Sequence, residues 1–297
     1  MLYSSAMAII DRFNDFVAQL DLPITRGEPP PMVAVVRLKG VIGSAGLGQR
    51  GLSISTLEGL LRKAFSRRVR AVALVINSPG GSAVQSSQIA SLVRFYAEDK
   101  KIPVLAFTED VAASGGYWLA LAADEVYADP MSIVGSIGVI ASSFGAHELL
   151  AKIGIERRIY TQGEHKSMLD PFRPEDPKDV ARIGELQAEI HKQFIAYVKT
   201  RRALKLNADD ATLFNGDIRT GERAKELGLV DGLGDMRTIC RRKFGDDVRF
   251  MTIDRPMSWF QRRFGRFIPP GVSDDTGWAG DLIAAVEERA WWARFGL

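Results

Sequence analysis

Apolar positions along the chain follow two spacings, and their alternation predicts the fold. Nearly continuous apolar runs over Met32–Ile42 and Val69–Ile76 are typical of strands that are buried on both faces. Helical spacing covers Ile54–Phe65, Ala83–Ala97 and, much further along the chain, about residues 176–202. Because strands alternate with helices, we expect an α/β fold whose mainly parallel sheet is covered by helices on its faces.

Shorter elements are predicted between and after these segments. Further strands are expected over Pro103–Phe107, Glu125–Ala128, Ile133–Ala141, Glu156–Thr161 and Val248–Ile253. Further helices are expected over Gly115–Ala123, Phe144–Ile153 and Met236–Phe244, with a short one inside residues 217–230.

The two ends of the chain differ from this α/β pattern, which predicts three parts. Residues 1–31 hold an amphipathic helix over 8–20 and a stiff proline-rich linker, and the helix is expected to pack on the domain or a partner subunit rather than a membrane. Residues 32–253 form the α/β domain. Residues 254–297 are an appendage rich in arginine and tryptophan, for which a partner or subunit surface is favoured over a membrane interface.

Composition narrows the possible functions. The chain has 297 residues, 46% of them hydrophobic and 25% charged, which is ordinary for a soluble globular protein. A net charge of +3 gives no reason to expect nucleic acid as a partner. The single cysteine, Cys240, excludes an intramolecular disulfide and a zinc site built on several cysteines, and we expect it to be a packing residue.

The sequence also bears on localisation. No apolar run approaches the ~20 residues that span a bilayer. Asp11, Arg12 and Asp15 interrupt any apolar core of a signal peptide. We therefore expect a cytoplasmic protein, with peripheral contact at the inner membrane face left open.

Two glycine-rich turns carry the candidate chemistry. The first, I-N-S-P-G-G-S over 76–82, ends an apolar strand and opens a helix, so its glycine N–H groups are suited to an oxyanion hole. The second, V-A-A-S-G-G-Y over 111–117, places Ser114 among small residues, where a substrate backbone could approach its hydroxyl. Each turn alone is also compatible with an ordinary strand-to-helix connection, with Ser114 as a helix N-cap.

A third segment, G-E-H-K-S-M-L-D-P-F-R-P over 163–174, contains Lys166. In isolation this lysine is a surface residue by default. No P-loop, H-E-x-x-H or G-x-S-x-G motif occurs, and the three histidines are far apart in sequence. Metal and histidine-based serine chemistry therefore have no support from motifs. The run G-L-G-Q-R-G at 46–51 matches the dinucleotide motif G-x-G-x-x-G, but the strand after it ends without the acid that would hold a ribose, so a mobile loop beside an active site is favoured over a nucleotide site.

Taken in order, the motifs S-P-G-G, A-A-S-G-G-Y, G-S-I-G-V and G-x-x-K-S followed by P-F-R resemble the signal peptide peptidase A family of S49 serine peptidases, in its short single-core form. The resemblance covers about residues 32–253, including L-F-N-G at 213–216 and A-K-E-L-G-L-V-D at 224–231. It implies a crotonase-like (Clp-protease-like) α/β fold and a Ser–Lys catalytic dyad without metal or cofactor.

Carried over residue by residue, the resemblance makes Ser114 the nucleophile and Lys166 the general base. Ser136 matches the serine that orients the lysine. Gly81 and Gly115 match the oxyanion-hole donors, with Gly80 as a substitute for Gly81, and Gly80, Ile137 and Gly138 are expected to bind substrate. These three substrate-binding positions complete the predicted site.

The resemblance also implies partners. The family assembles as a ring or dome, and its serine and lysine can meet across a subunit boundary, so we expect a homo-oligomer with active sites near subunit interfaces. Expected substrates are short or unfolded peptides, such as signal-peptide remnants or membrane-protein fragments, cleaved through an acyl-enzyme. Many members carry a membrane anchor, and this sequence displays none.

Two other functions remain open at this point. A crotonase-type acyl-CoA hydratase or isomerase shares glycine oxyanion turns, but it needs no serine–lysine pair. A non-catalytic membrane-associated scaffold would not require Ser114, Ser136 and Lys166, which are all present.

Overall fold

The computed structural model describes residues 29–43, 51–66, 68–254, 289–290 and 292–296. The predicted helix over residues 8–20 and the aromatic, arginine-rich segment over 255–267 lie outside the described residues. No helix among the described residues is both long and apolar enough to cross a bilayer.

Strands and helices alternate through the described chain. The strands are β1 (Met32–Lys39), β2 (Ala71–Ser78), β3 (Val104–Ala113), β4 (Glu125–Ala128), β5 (Ile133–Gly135), β6 (Ile218–Thr220), β7 (Gly232–Leu233) and β8 (Arg249–Thr252). The helices are α1 (Ile54–Phe65), α2 (Ala83–Lys100), α3 (Gly115–Ala120), α4 (His147–Lys152), α5 (Pro177–Arg202), α6 (Asp210–Leu213), α7 (Gly221–Glu226) and α8 (Met236–Phe244).

The described strands form one mainly parallel sheet, which confirms the predicted fold class. Its order is β6-β5-β3-β2-β1-β8, and β4 pairs with β3 and β7. Every pairing is parallel except that of β5 with β6. The long strand β3 changes partners along its length, pairing with β4 at Leu105–Thr108 and with β5 at Val111–Ala113.

Apolar side chains cover both faces of the sheet. All eight residues of β2 are buried, as expected for a central parallel strand. The larger core packs α1, α2, α3 and the end of α5 against one face. The smaller core packs α8 against the other face and contains Cys240, whose burial raises the pKa of its thiol to about 11.

One predicted strand is shorter than expected, and another does not form. The strand expected over Ile133–Ala141 ends at Gly135, because Ser136 has a φ of 51°, which no extended strand accommodates. The strand expected over Glu156–Thr161 does not form, since no strand of the described chain pairs with it. The antiparallel strand β6 was not predicted, because three residues are too few to show the alternation of apolar and polar side chains that marks a strand.

One long segment stands apart from the core. None of residues 138–193 is buried, and we call this segment the arm. Its helix α4 has no buried residue, although its sequence is amphipathic. The arm exposes large apolar side chains, among them Ile140, Phe144, Leu149, Ile153, Ile155 and Tyr160. Such a surface is typical of a protein–protein contact.

A buried ion pair fixes the end of α5 to the sheet. The Arg202 guanidinium donates to the Gly228 carbonyl at 2.8 Å and to the Asp231 carboxylate at 2.7 Å, and its side chain is 3% exposed. Asp231 also accepts from the Val126 N–H and from Lys205. Burial opposes ionisation of Asp231, but the hydrogen bonds from Arg202 and Lys205 outweigh it and lower the pKa of the carboxyl.

Removal of this guanidinium should destabilise the fold strongly. Arg202→Met retains apolar volume but leaves the Asp231 carboxylate without its buried partner, so we expect the free energy of unfolding to fall by about 3 kcal/mol. Urea denaturation at pH 7 measures this difference. The matched control is Arg223→Met, which removes an exposed pair with Glu226 and should cost less than about 0.5 kcal/mol.

The pH dependence checks the cause of this effect. When folding lowers the pKa of a carboxyl group, the ionised group stabilises the folded state at every pH above its pKa in the unfolded state. This contribution disappears as the pH falls through the pKa of the folded state. The difference between parent and Arg202→Met should therefore shrink below about pH 4. A difference that stays constant between pH 7 and pH 3 would contradict a role for the ionised carboxylate.

Candidate active site

The predicted site residues other than Lys166 lie at the carboxyl ends of adjacent parallel strands. Gly80 and Gly81 follow β2, Ser114 follows β3, and Ser136 follows β5. Ligand sites of open parallel sheets form at this edge, where successive strand ends converge. The sheet order therefore brings together three turns that are far apart in sequence.

Ser114 has a strained backbone and an uncommitted hydroxyl. Its φ of 52° and ψ of −120° are unusual for a residue with a side chain. It occupies the N-cap position of α3, yet its side chain makes no capping hydrogen bond. The interpretation of Ser114 as an ordinary N-cap is therefore wrong, and its hydroxyl remains available for chemistry.

Candidate backbone donors lie in the two turns that meet at this serine. Neither the Gly81 N–H nor the Gly115 N–H has an acceptor among the described residues. The Gly80 N–H, in contrast, donates to the Ser78 hydroxyl at 3.3 Å. The sequence did not decide between Gly80 and Gly81 as the donor in the first turn. In the structure it is the Gly81 N–H that is available to stabilise an oxyanion.

The glycines in these two turns are required by close packing. A Cβ at Gly80 would lie 2.9 Å from the Ser114 Cβ, and a Cβ at Gly116 would lie 2.4 Å from the Ser78 carbonyl oxygen. A larger residue at either position would force the two turns apart. The G-G pair in each motif thus brings the two turns into direct contact.

Ser136 is the second strained residue of the site. Its φ is 51°, and its N–H donates to the Asp217 carbonyl at 2.8 Å. The preceding Gly135 carbonyl accepts from the Ser114 N–H, also at 2.8 Å. The Gly135 backbone therefore links the two serines, because it is hydrogen-bonded to Ser114 and directly precedes Ser136 in the chain.

A cavity of about 110 Å³ contains both serines. Its lining residues are Pro79, Ser114, Ser136, Gly138, Val139, Ile140, Gly216, Arg294 and Phe295. Most are small or apolar, and Arg294 is the one charged residue among the described residues that line it.

The structure brings Ser114, Ser136 and Gly138 together, but it does not bring Lys166 to them. Lys166 lies in the arm, is exposed, and is absent from the described lining of the cavity. No hydrogen bond between its ammonium and either serine occurs among the described residues. Within a single chain, the candidate dyad is incomplete.

Three features near the site were not predicted from the sequence. The Ile137 side chain is buried, and the ring of His191 contacts its carbonyl at 3.1 Å, so α5 supports this segment. Gly216 lines the cavity from the turn before β6, and Phe295 lines it from the C-terminal part. The N-G pair at 215–216 was the one local signal, since this pair marks a turn.

Comparison with known proteins agrees with the predicted class. The profile of peptidase family S49 matches residues 96–244. A putative protease of Synechocystis sp. is 30% identical over 239 residues, which cover 78% of this chain and 83% of that protein. The chain belongs to peptidase family S49. The resemblance inferred from the motifs is thereby confirmed, and the S49 family supports a peptidase rather than an acyl-CoA hydratase.

Two further matches differ in how much of each protein they cover. A protein of Brucella abortus named Na(+)/H(+) antiporter NhaA is 48% identical over 277 residues. This match covers 89% of the present chain but only 37% of the Brucella protein, so the present chain spans little more than a third of that relative's length. A solved mutant of a 1510-N membrane-bound stomatin-specific protease with a substrate peptide aligns at 17% identity and a TM-score of 0.47, over 80% of this chain and 98% of that one.

The strain at Ser114 has a measurable consequence for stability. Glycine adopts positive φ without a steric penalty, so Ser114→Gly should be more stable than Ser114→Ala by about 1 kcal/mol. Chemical denaturation of both variants measures the difference. Ser91, an exposed residue within α2, is the matched control, and there glycine should be less stable than alanine by about 1 kcal/mol. The same sign at both positions would contradict the strained conformation of Ser114.

Proposed function

We propose that this chain is a serine endopeptidase that hydrolyses short or unfolded peptides through an acyl-enzyme on Ser114. The observation that carries the proposal is the strained, uncapped Ser114 at the junction of two turns, whose Gly81 and Gly115 N–H groups have no acceptor in the described part of the chain. A partly exposed hydroxyl nucleophile next to unused backbone donors is the arrangement that acyl transfer requires.

In the proposed reaction, the Ser114 hydroxyl attacks a peptide carbonyl while the neutral amine of Lys166 takes its proton. The Gly81 and Gly115 N–H groups stabilise the oxyanion of the tetrahedral intermediate. The Lys166 ammonium then protonates the leaving amine, which releases the first product. Water, deprotonated by the same amine, hydrolyses the ester and frees Ser114.

The base reaches the nucleophile in an assembly of this chain. The arm carries Lys166 together with exposed apolar side chains, and no residue of the arm is buried. Packing of these side chains against a second copy would remove them from water, which is the main driving force of association. The same packing would bring Lys166 to the Ser114 of a neighbouring subunit.

Assembly would also adjust the chemistry of the lysine. A free lysine has a pKa near 10.4 and is protonated at pH 7. Burial disfavours the ammonium form, so a lysine enclosed at a subunit contact can act as a base near neutral pH. Ser136, which lies in the same cavity as Ser114, would hold the neutral amine in place.

The cavity suggests the substrate class. Its small volume and its lining by Val139 and Ile140 suit a small or apolar side chain. The backbone from Ile137 through Ile140 has no strand partner among the described residues, so an extended peptide could pair with it there. Gly80, Ile137 and Gly138 would then contact the substrate backbone.

We place this activity in the cytoplasm at the inner face of a membrane, within the central domain of residues 32–253. The support is the partial match to a Brucella protein named as an antiporter, which is a membrane transporter by its name. Remnants of signal peptides and fragments of membrane proteins arise there, and both contain small and apolar residues that would fit the cavity.

A mixing experiment tests the dyad and its location. Ser114→Ala and Lys166→Ala should each reduce hydrolysis of a fluorogenic peptide by at least about a thousandfold. When the two variants are unfolded together and refolded, mixed assemblies should recover part of the activity, because some sites combine an intact Ser114 with an intact Lys166.

Lys225→Ala is the matched control, since this lysine is exposed but lies outside the arm, and the variant should keep full activity. Lys166→Ala with parental activity would contradict the dyad. Loss of activity in both single variants, without recovery in the mixture, would place the dyad within one subunit.

The arm can be tested separately from the dyad. Leu149 and Ile153 are each 58% exposed and lie one helical turn apart. Leu149→Glu combined with Ile153→Glu should reduce the native mass and the activity together, while circular dichroism stays unchanged. Phe95→Glu, at a similarly exposed apolar position on α2, should retain the parental mass. A double variant with parental mass would contradict the role of the arm.

A further inference from the structure

The turn Asn215-Gly216-Asp217, which follows Phe214 at the end of α6, leads into β6, and its Gly216 closes one side of the cavity. We propose that Asn215 is a positioning residue, which holds Ser136 in the conformation that the catalytic lysine requires. This inference rests on the proposed peptidase function and adds a residue to it.

The Asn215 side chain shapes the turn through two hydrogen bonds. Its carbonyl oxygen accepts from the Asp217 N–H at 3.0 Å, and its amide donates to the Asp217 carboxylate at 2.9 Å. The first bond is that of an Asx turn, in which a side chain replaces a backbone acceptor. Together the two bonds fix both the backbone and the side chain of Asp217.

The fixed backbone of Asp217 in turn supports Ser136. The Asp217 carbonyl accepts from the Ser136 N–H at 2.8 Å. Because Ser136 has a φ of 51°, its conformation persists only if the surroundings favour it over an ordinary one. The bond to Asp217 is the contact across the sheet edge that supplies this preference.

The support continues toward the nucleophile. Gly135 pairs with Ile218 across β5 and β6, and the Gly135 carbonyl accepts from the Ser114 N–H at 2.8 Å. A shift of the turn would therefore change the positions of Ser136 and, to a smaller extent, Ser114. Both serines line the same cavity, so their relative position determines where a lysine amine can bind.

A second contact limits the size of the effect. The Arg219 guanidinium lies 2.9 Å from the Asp217 carboxylate, and its other nitrogen donates to the Thr212 carbonyl at 3.1 Å. The turn thus keeps one support when the Asn215 side chain is removed. Because Arg219 still holds the Asp217 carboxylate, the net loss is the bond from the Asp217 N–H, and one hydrogen bond of ordinary strength corresponds to a rate effect of about fivefold.

The structure separates positioning from substrate binding. Asn215 is exposed and is not among the described residues that line the cavity, whereas its neighbour Gly216 lines it. Replacement of Asn215 leaves the chemical groups of the cavity wall unchanged. A positioning role predicts a change in kcat with little change in KM.

The test uses the full chain in its native assembly and a fluorogenic peptide substrate. Asn215→Ala should lower kcat about fivefold, with KM within twofold of the parent. Asn215→Ser should restore at least half of the lost kcat, because a serine oxygen can also accept from the N–H two residues on. Asn207→Ala, which removes another exposed asparagine side chain bonded to backbone, should retain the parental kcat.

A double variant determines whether Asn215 acts through Ser136. If it does, Asn215→Ala should have less than a twofold effect on kcat when Ser136 is already alanine. An effect of fivefold in both backgrounds, an effect on KM alone, or no rescue by Asn215→Ser would overturn the proposal. Thermal unfolding of each variant excludes a general loss of fold as the cause.

The outcomes also distinguish this inference from the proposed function. If Ser114→Ala retains activity, the peptidase mechanism fails, and the role of Asn215 fails with it. If Ser114→Ala loses activity and Ser136→Ala slows hydrolysis while Asn215→Ala keeps the parental kcat, only the positioning role is overturned.

Discussion

Two serines held at positive φ determine the architecture of the candidate site. Ser114 and Ser136 each adopt a backbone conformation that residues with side chains avoid, and each does so at the end of a parallel strand. The remainder of the site compensates for this strain. Backbone hydrogen bonds link Ser114 to Gly135 and Ser136 to Asp217, and glycines allow the two flanking turns to pack without side chains between them. Burial of β2 and β3 in the core gives these turns a rigid base.

The core and the arm have different physical roles. The core buries apolar residues on both faces of the sheet and therefore positions the candidate nucleophile and the proposed oxyanion donors within one chain. The arm buries none of its own residues and carries the candidate base. A site divided in this way would be inactive in an isolated subunit and would become active on assembly. Such a division would restrict peptide hydrolysis to the assembled protein.

Much of the fold was predictable because buried parallel strands and amphipathic helices display strong periods. The apolar run of β2 and the spacing of α1 are examples, and the S-G-G-Y and S-P-G-G motifs predicted the two turns that meet at Ser114. Local pattern failed where a distant contact decides the structure. The end of β5 depends on a bond from Ser136 to Asp217, more than 80 positions away in the chain, and β6 is defined only by its partner. The separation of Lys166 from Ser114 could not be predicted from the local pattern around Lys166, and only the family resemblance indicated that the two residues can meet across a subunit boundary.

The identity of the nucleophile is the central claim, and covalent labelling tests it most directly. The native assembly would be treated with a fluorophosphonate between pH 6 and pH 10, digested, and analysed by tandem mass spectrometry. The account predicts a single adduct on Ser114, formed faster as the pH rises and the base loses its proton. Active enzyme labelled at another serine, or not labelled at all, would contradict it.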